Sequence, residues 1–281
     1  METGSNTKLS LTQPALVVSA DRIGKDFVPN NRPVCQIGRS TIIHSIYSQD
    51  LLDLVELKVY RFPYAVDDNT WGTEIASILE LIDVSNPIFL IEPCGFALIP
   101  KSLYEEGAIE SYFELQGTEL NGKPVSNYQG HDSDNRIISH YPSSLNDILA
   151  GGEIIIDLCP ILASISKEKD ANIHLVIRDE HIDVVLSKKE VVMMNRFNAD
   201  QENDILYFCV AAAEQIGLNI DDVIINLSGN AEKLDSLHGL FAKYFKKLQK
   251  LTTPKKVKVP YGFMDVNPAV CWPTLNIHLC V

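Results

Sequence analysis

The sequence is short of the motifs that announce a chemistry. It has no Gly-x-x-x-x-Gly-Lys-Ser/Thr run and no Gly-x-Gly-x-x-Gly run, the loops whose backbone amides cradle phosphates. It has no Gly-x-Ser-x-Gly elbow, and its Ser, His and Asp residues are scattered rather than spaced as a nucleophile and its base. No Cys-x-x-Cys pair occurs. No stretch approaches the roughly 18 apolar residues of a spanning helix, so no membrane insertion is expected. The opening residues, METGSNTKLS, hold no apolar segment of the signal-peptide kind. Positive charge is scarce as well. Lys and Arg number 24 against 37 Asp and Glu, a net charge of −13. That argues against nucleic acid as a main partner, because phosphate contacts need clustered cations.

What is present is an ordinary globular composition, 46% hydrophobic and 22% charged over 281 residues. That length can bury one large core or two modest ones. The six cysteines (Cys35, Cys94, Cys159, Cys209, Cys271 and Cys280) are widely separated, and several fall inside predicted strands or helices. They read as reduced, buried thiols of a cytoplasmic protein. The one basic cluster runs through Lys243, Lys246, Lys247, Lys250, Lys255, Lys256 and Lys258. It reads as a solvated helix face and the loop after it.

The most informative stretch is 172–250. Ile173, Leu175 and Ile177 alternate with His174, Val176 and Arg178, and Ile182, Val184 and Leu186 do the same after the turn Arg178-Asp179-Glu180-His181. Val191, Met193 and Phe197 share one parity of a third run. Period 2 with β-branched residues predicts a three-strand meander. Then the period changes. Ile205, Phe208, Cys209, Ala212 and Ile216 define one helical face, with Asn198 or Asp200 as candidate caps and Gly217 at the end. Val223 to Leu227 is a continuous apolar run, suited to a strand covered on both faces. Leu234, Leu237, Phe241, Phe245 and Leu248 predict one further helix. Meander, helix, strand, helix is the ribonuclease-H-like unit, half of an actin-like ATPase fold.

The earlier chain repeats that plan without repeating its sequence. Val34 to Ile37, Ile42 to Tyr47 and Leu54 to Phe62 are strands around the turn Gly38-Arg39-Ser40. Thr70 caps a helix through Ile75, Ile78, Leu79 and Ile82, and Ile88 to Ile91 is a buried strand. A strand from Phe96 to Ile99 leads to a helix capped by Ser102, then a polar loop or hairpin over 117–134 and a strand at Arg136 to His140. Ser143 or Ser144 caps a short helix. Ile154 to Ile156 is a strand, Pro160 to Ile165 a helix, and Lys256 to Val259 a last strand. The expected organisation is an N-terminal extension over 1–32 and two ribonuclease-H-like domains, 33–166 and 167–281, joined at the polar KEKD linker.

Three phrases carry a resemblance: FALIPKSLYEEGAIESYFELQG, IHLVIRDEHIDVVLSKKEVVMMNRF and NDILYFCVAAAEQIGLNIDDVIINLSGN. Together they resemble an uncharacterised bacterial family of unknown function that has the actin-like ATPase fold. The fold is also similar to that of the cytoplasmic actin-like proteins of type IV pilus and type II secretion assembly. Working members of that superfamily hold nucleotide phosphates between two hairpin turns, each with an Asp and Gly-rich residues, while a Gly-Gly turn accommodates the adenosine. The resemblance places Gly38, Arg39, Ser40 and Thr41 in the first turn, Arg178 and Asp179 in the second, and Gly229 and Asn230 in the third. All three depart from the pattern. The first has one Gly and no Asp, the second an Asp and no Gly, the third one Gly of the pair. Hydrolysis is therefore not expected, and no catalytic residue is assigned. The leading expectation is a non-catalytic scaffold for a protein partner, without cofactor. The alternative is a switch that binds ATP and Mg²⁺ at those eight residues.

Other clusters are weaker. Asp21 with Gly24 imitates a phosphate turn without a hairpin after it. The acids of 131–134 read as solvated loop, and Asp53, Glu56, Glu105 and Glu106 as turn and helix-face acids. His278 with Cys271 and Cys280 lacks the fourth ligand and paired spacing of a zinc site. His174 and His181 read as polar positions of an edge hairpin.

Overall fold

The alternation and helical stripes become alternating elements along the chain. In order these are β1 (Leu16–Ser19), β2 (Arg32–Ile37), β3 (Thr41–Tyr47), β4 (Leu54–Arg61), α1 (Trp71–Leu79) and β5 (Ile88–Ile91). Next come β6 (Gly95–Pro100), α2 (Ile109–Leu115), β7 (Lys123–Tyr128), β8 (Asn135–Tyr141), β9 (Glu153–Ile156) and α3 (Leu158–Ile165). The remainder is β10 (Ala171–Ile177), β11 (His181–Lys188), β12 (Glu190–Asn198), α4 (Glu202–Gln215), β13 (Ile224–Gly229), α5 (Ala231–Phe241), β14 (Leu248–Gln249) and α6 (Trp272–Leu275). The structure is a computed structural model and describes residues 13–19, 31–62, 66–67, 70–80, 86–115, 120, 122–128, 134–165, 170–199 and 201–281.

Two mixed sheets share one topology. The first runs β1-β4-β3-β2-β5-β9, with an antiparallel meander β2–β4 and with β5 and β9 parallel to β2. The second runs β12-β11-β10-β13-β14, with meander β10–β12 and with β13 and β14 parallel to β10. Residues 95–141 add a small antiparallel sheet, β6-β8-β7, between β5 and β9. The predicted strands at Phe96 and Arg136 are present. Their pairing away from the main sheet was not expected, because alternation names a strand but not its neighbour.

Helices cover the outer faces. Trp71, Ile75 and Ile78 of α1 pack on Cys35, Ile37 and Ile42, and α4 and α5 cover Ile173, Leu175, Ile182 and Val184. The inner faces meet in one core. Val34, Ile43 and Leu57 of the first sheet cluster with Val176 and Val185 of the second, with Leu158 and Ile161 of α3, and with Leu275 and Ile277 near the C-terminus. Each such fully buried side chain stabilises the fold by roughly 1.5–3 kcal/mol. Both faces of β10 and β11 are therefore interior, so the polar parity of this meander is buried rather than solvated.

Several local expectations change. α5 stops at Phe241, and Phe245 and Leu248 lie beyond it. Phe245 stacks on Phe241 with ring centroids 5.1 Å apart, and the Ile225 N–H donates to Lys247 O, turning the chain into β14. Lys243 to Lys250 thus occupy a turn and an edge strand, where lysines also discourage edge pairing. Ser102 sits inside a 3-10 turn, and α2 begins only at Ile109. Ser143–Leu145 is likewise a 3-10 turn. Gln201 rather than Asn198 occupies the N-cap of α4, and Thr70 spends its hydroxyl on Asp67 instead of capping α1. The predicted last strand shrinks to an isolated bridge between Asp53 and Lys258. Part of the expected N-terminal extension, β1, pairs with β4. Asp21, Gly24, Ile82, 131–133, most of the KEKD linker and Asp200 lie outside the described residues.

Candidate functional site

The turns singled out in the sequence converge. Gly38, Ser40 and Thr41 at the β2–β3 turn, Arg178 and Asp179 between β10 and β11, and Gly229 and Asn230 at the junction of β13 and α5 all line one cleft of about 360 Å³. Arg39 stands apart. Its guanidinium lies 5.3 Å from the Trp71 ring centroid and donates to Val66 O, away from the cleft's centre.

Local geometry explains why the turns fit together. Gly229 has φ +111°, and a Cβ there would stand 2.1 Å from Ile177 O. Only glycine lets the end of β13 close on β10. Asn230 then caps α5, its side chain accepting from the Glu232 N–H at 2.9 Å and donating to Asp179 at 2.7 Å. Lys233 donates to the carbonyl of Asp179. At the first turn the Arg39 N–H donates to Glu92 Oε2 at 3.2 Å. An amide of the kind that would serve a phosphate is spent on the chain's own carboxylate.

A buried charge cluster lies against the cleft and reaches its lining at Glu92 and Arg178. Arg178, with its side chain 8% exposed, donates through both terminal nitrogens to Asp157 at 2.5 and 2.9 Å. Its Nε donates to Asp183 at 3.1 Å, and its Nη1 lies 3.8 Å from Glu92. Arg196 meets the same Asp183 through two bonds, 2.6 and 3.0 Å, and donates to the carbonyls of Pro93 and Cys94 at 2.8 and 3.0 Å. Burial opposes the charge on Asp183, but Arg196 and Arg178 hold its carboxyl at about 2. The Arg178 guanidinium is raised further still by Asp157 and Glu92 against the same burial. Burial lifts the Glu92 carboxyl above the usual range, with Arg178 opposing. Beside the cluster, burial and then Arg196 push His181 down to about 3.

His174 and His181, read as edge positions, are in fact interior. β10 is a central strand, and His174 Nε2 lies 2.8 Å from the buried Ser228 hydroxyl. Glu92, Asp157, Asp183 and Arg196 were missed in the sequence. A signal for two of them exists: Glu92 and Asp157 each follow directly on an apolar run, IFLI and III, at the carboxyl end of a parallel strand, where α/β sheets place their sites. The other expected acids serve locally. Asp53 pairs with Lys258 at 3.2 Å and Glu56 with Lys58 at 2.7 Å, while Glu105 and Glu106 are exposed. Among the described residues no group of three or more His, Cys, Asp or Glu is arranged to hold a metal ion.

Comparison with known proteins places this architecture. The profile of the family described as protein of unknown function DUF3822 matches residues 89–248, more than half of the chain. The chain belongs to the DUF3822 family. No functionally curated protein matches its sequence. Among solved structures, this DUF3822 member is similar to a Bacteroides thetaiotaomicron protein described as having an actin-like ATPase fold and unknown function. The TM-score is 0.72 at 15% identity, over 90% of this chain and 96% of that one. It is also similar to a chain of the PilM-PilN type IV pilus biogenesis complex, with TM-score 0.59 at 14% identity, over 90% of this chain and 99% of that one. At such identities the likeness establishes the fold, and the fold is the actin-like ATPase fold. No helix among the described residues is long and apolar enough to cross a membrane.

Proposed function

We propose that this DUF3822 member is a non-catalytic protein-interaction scaffold on a degenerate actin-like ATPase fold, acting in the cytoplasm. The observation that carries the reading is Arg178. It lies in the cleft lining, and each of its three guanidinium nitrogens bonds to Asp157 or Asp183. The first turn supports it, since the Arg39 amide serves Glu92. So does the rest of the lining, where Asp179, Glu180, Glu232 and Glu92 outnumber Arg61 and Arg178. Six free cysteines favour a reducing compartment. The similar chain described as part of the PilM-PilN complex supports a protein partner.

A second reading, the nucleotide-binding switch, draws on the cleft itself, which keeps about 360 Å³ and the Ser40 and Thr41 positions on its wall. Thermal melting with Mg-ATP, Mg-ADP and Mg-GTP separates the two. A ligand at about 100 times its Kd adds roughly 2.7 kcal/mol, a shift of several degrees for a chain of this size. The scaffold reading expects no shift with any nucleotide, and capture of a protein partner that is insensitive to them. A clear shift with one nucleotide would replace it with the switch.

A further inference from the structure

We infer that Arg178 is a built-in ligand: its guanidinium clasps the two sheets across the cleft floor and fixes their closure by the chain's own charge. The inference rests on the scaffold reading for its meaning, but not for its geometry.

The cluster is organised around Asp183 on β11. Arg178 and Arg196 both grip this carboxylate from within the second sheet. Each then reaches across to the first sheet by a different route. Arg178 spans to Asp157, directly after β9, and approaches Glu92, directly after β5. Arg196 spans to the carbonyls of Pro93 and Cys94, between β5 and β6. The two arms therefore tie one meander to the ends of two parallel strands opposite. Two-lobed folds commonly close around a bound molecule that both lobes contact. Here a side chain of one lobe makes those contacts.

Chemistry favours an arginine for this task. A planar fork can hold Asp157 with two parallel bonds while its Nε serves Asp183, and an ammonium cannot. Asp157 and Asp183 are fully buried, so each needs its partner. Without Arg178, Arg196 still covers Asp183, whereas the buried Asp157 loses both of its guanidinium bonds and Glu92 keeps the Arg39 N–H. Removing one member of such a buried set is strongly destabilising. The clasp is thus a lock rather than an incidental surface pair.

The test is replacement of the guanidinium from solution. Arg178→Ala leaves a gap walled by Asp157 and Asp183. The full chain would be followed by thermal melting and by hydrogen exchange at residues 91–95, 155–158 and 178–183. Expected results are a lowered melting temperature and roughly tenfold faster exchange at those loops, as for local opening. Low-millimolar guanidinium or methylguanidinium, matched against sodium chloride, should raise the melting temperature of Arg178→Ala and slow that exchange. It should do neither in wild type, nor in Arg178→Ala combined with Asp157→Asn. If Arg178→Ala does not fold, Arg178→Lys is measured in its place, and it should show the faster exchange while keeping the charge. Wild-type exchange in either variant, or absence of guanidinium rescue in a folded Arg178→Ala, overturns the clasp. A nucleotide shift in wild type would instead overturn the scaffold reading, and leaves these outcomes as they are.

Discussion

Lowering the pH from about 7 to about 5 should cost this protein several kcal/mol, because three histidines are buried where a proton is unwelcome. Burial pushes His44 down to about 4, His174 to about 3 and His181 to about 3. Lys58 adds to the effect at His44 and Arg196 at His181. A histidine whose folded pKa lies below its unfolded value of about 6.5 is protonated first in the unfolded chain. The stability it protects is intact above that value and is lost as pH falls from there toward the folded pKa. At pH 5 each of the three costs roughly 2 kcal/mol, and together about 6. That is comparable with the whole stability of an ordinary domain. Glu92 and Asp157 act in the opposite sense. Burial raises their carboxyls, so the folded chain takes those protons first and recovers part of the loss. Asp183, held at about 2, enters only below its unfolded value near 4, where its contribution of roughly 2 kcal/mol fades.

The assay is urea denaturation at a series of pH values, with the slope m checked for constancy. His174→Gln is the internal control. Gln can keep the hydrogen bond to Ser228 but has no proton to gain, so the variant should lose about 2 kcal/mol less than wild type on going to pH 5. An unfolding free energy that is flat across this range would refute the reasoning. So would an identical decline in His174→Gln.

Three substitutions test the turns and one helix contact. Gly229→Ala should lose about 3 kcal/mol in urea denaturation, because φ of +111° and a Cβ 2.1 Å from a carbonyl oxygen leave no room for the methyl; a loss under about 1 kcal/mol would mean the turn relaxes freely. Asn230→Ala should cost about 1 kcal/mol for the cap of α5 and release Asp179, and a neutral result would show the cap is idle. Gly72→Ala, a change that helps most helices by about 1 kcal/mol, should instead destabilise by about 2 kcal/mol, since its Cβ would meet Ser144 O at 2.2 Å. A raised melting temperature in that variant would contradict the packing of α1.

Much of the fold was legible because period is a local property. Ile173, Leu175 and Ile177 alternate within a few residues, and the sheet they build follows. The limits are just as physical. Leu248 keeps the helical spacing of Leu234, Leu237 and Phe241, yet it joins a strand, because a backbone bond from Ile225 to Lys247 outweighs continued helix. His174 and His181 read as edge positions because alternation does not reveal what covers each face. Only tertiary packing puts His174, Arg178 and Asp183 inside. The eight turn residues were found as a set, and seven of them line one cleft. Their partners were not found, since Glu92, Asp157 and Arg196 come from segments far apart in sequence. An acid after an apolar strand gains meaning only when its counter-charge is known.

That partnership bears on how this fold stays closed. Two carboxylates brought to one buried floor repel each other. At an effective dielectric near 20, unit charges about 4 Å apart interact by roughly 4 kcal/mol. Some positive group must therefore stand between Asp157 and Glu92 if both remain ionised. A bound cation would meet that need only while it stays bound. An arginine in the turn after β10 meets it permanently. Arg178→Ala is accordingly the substitution expected to make closure depend on an added cation.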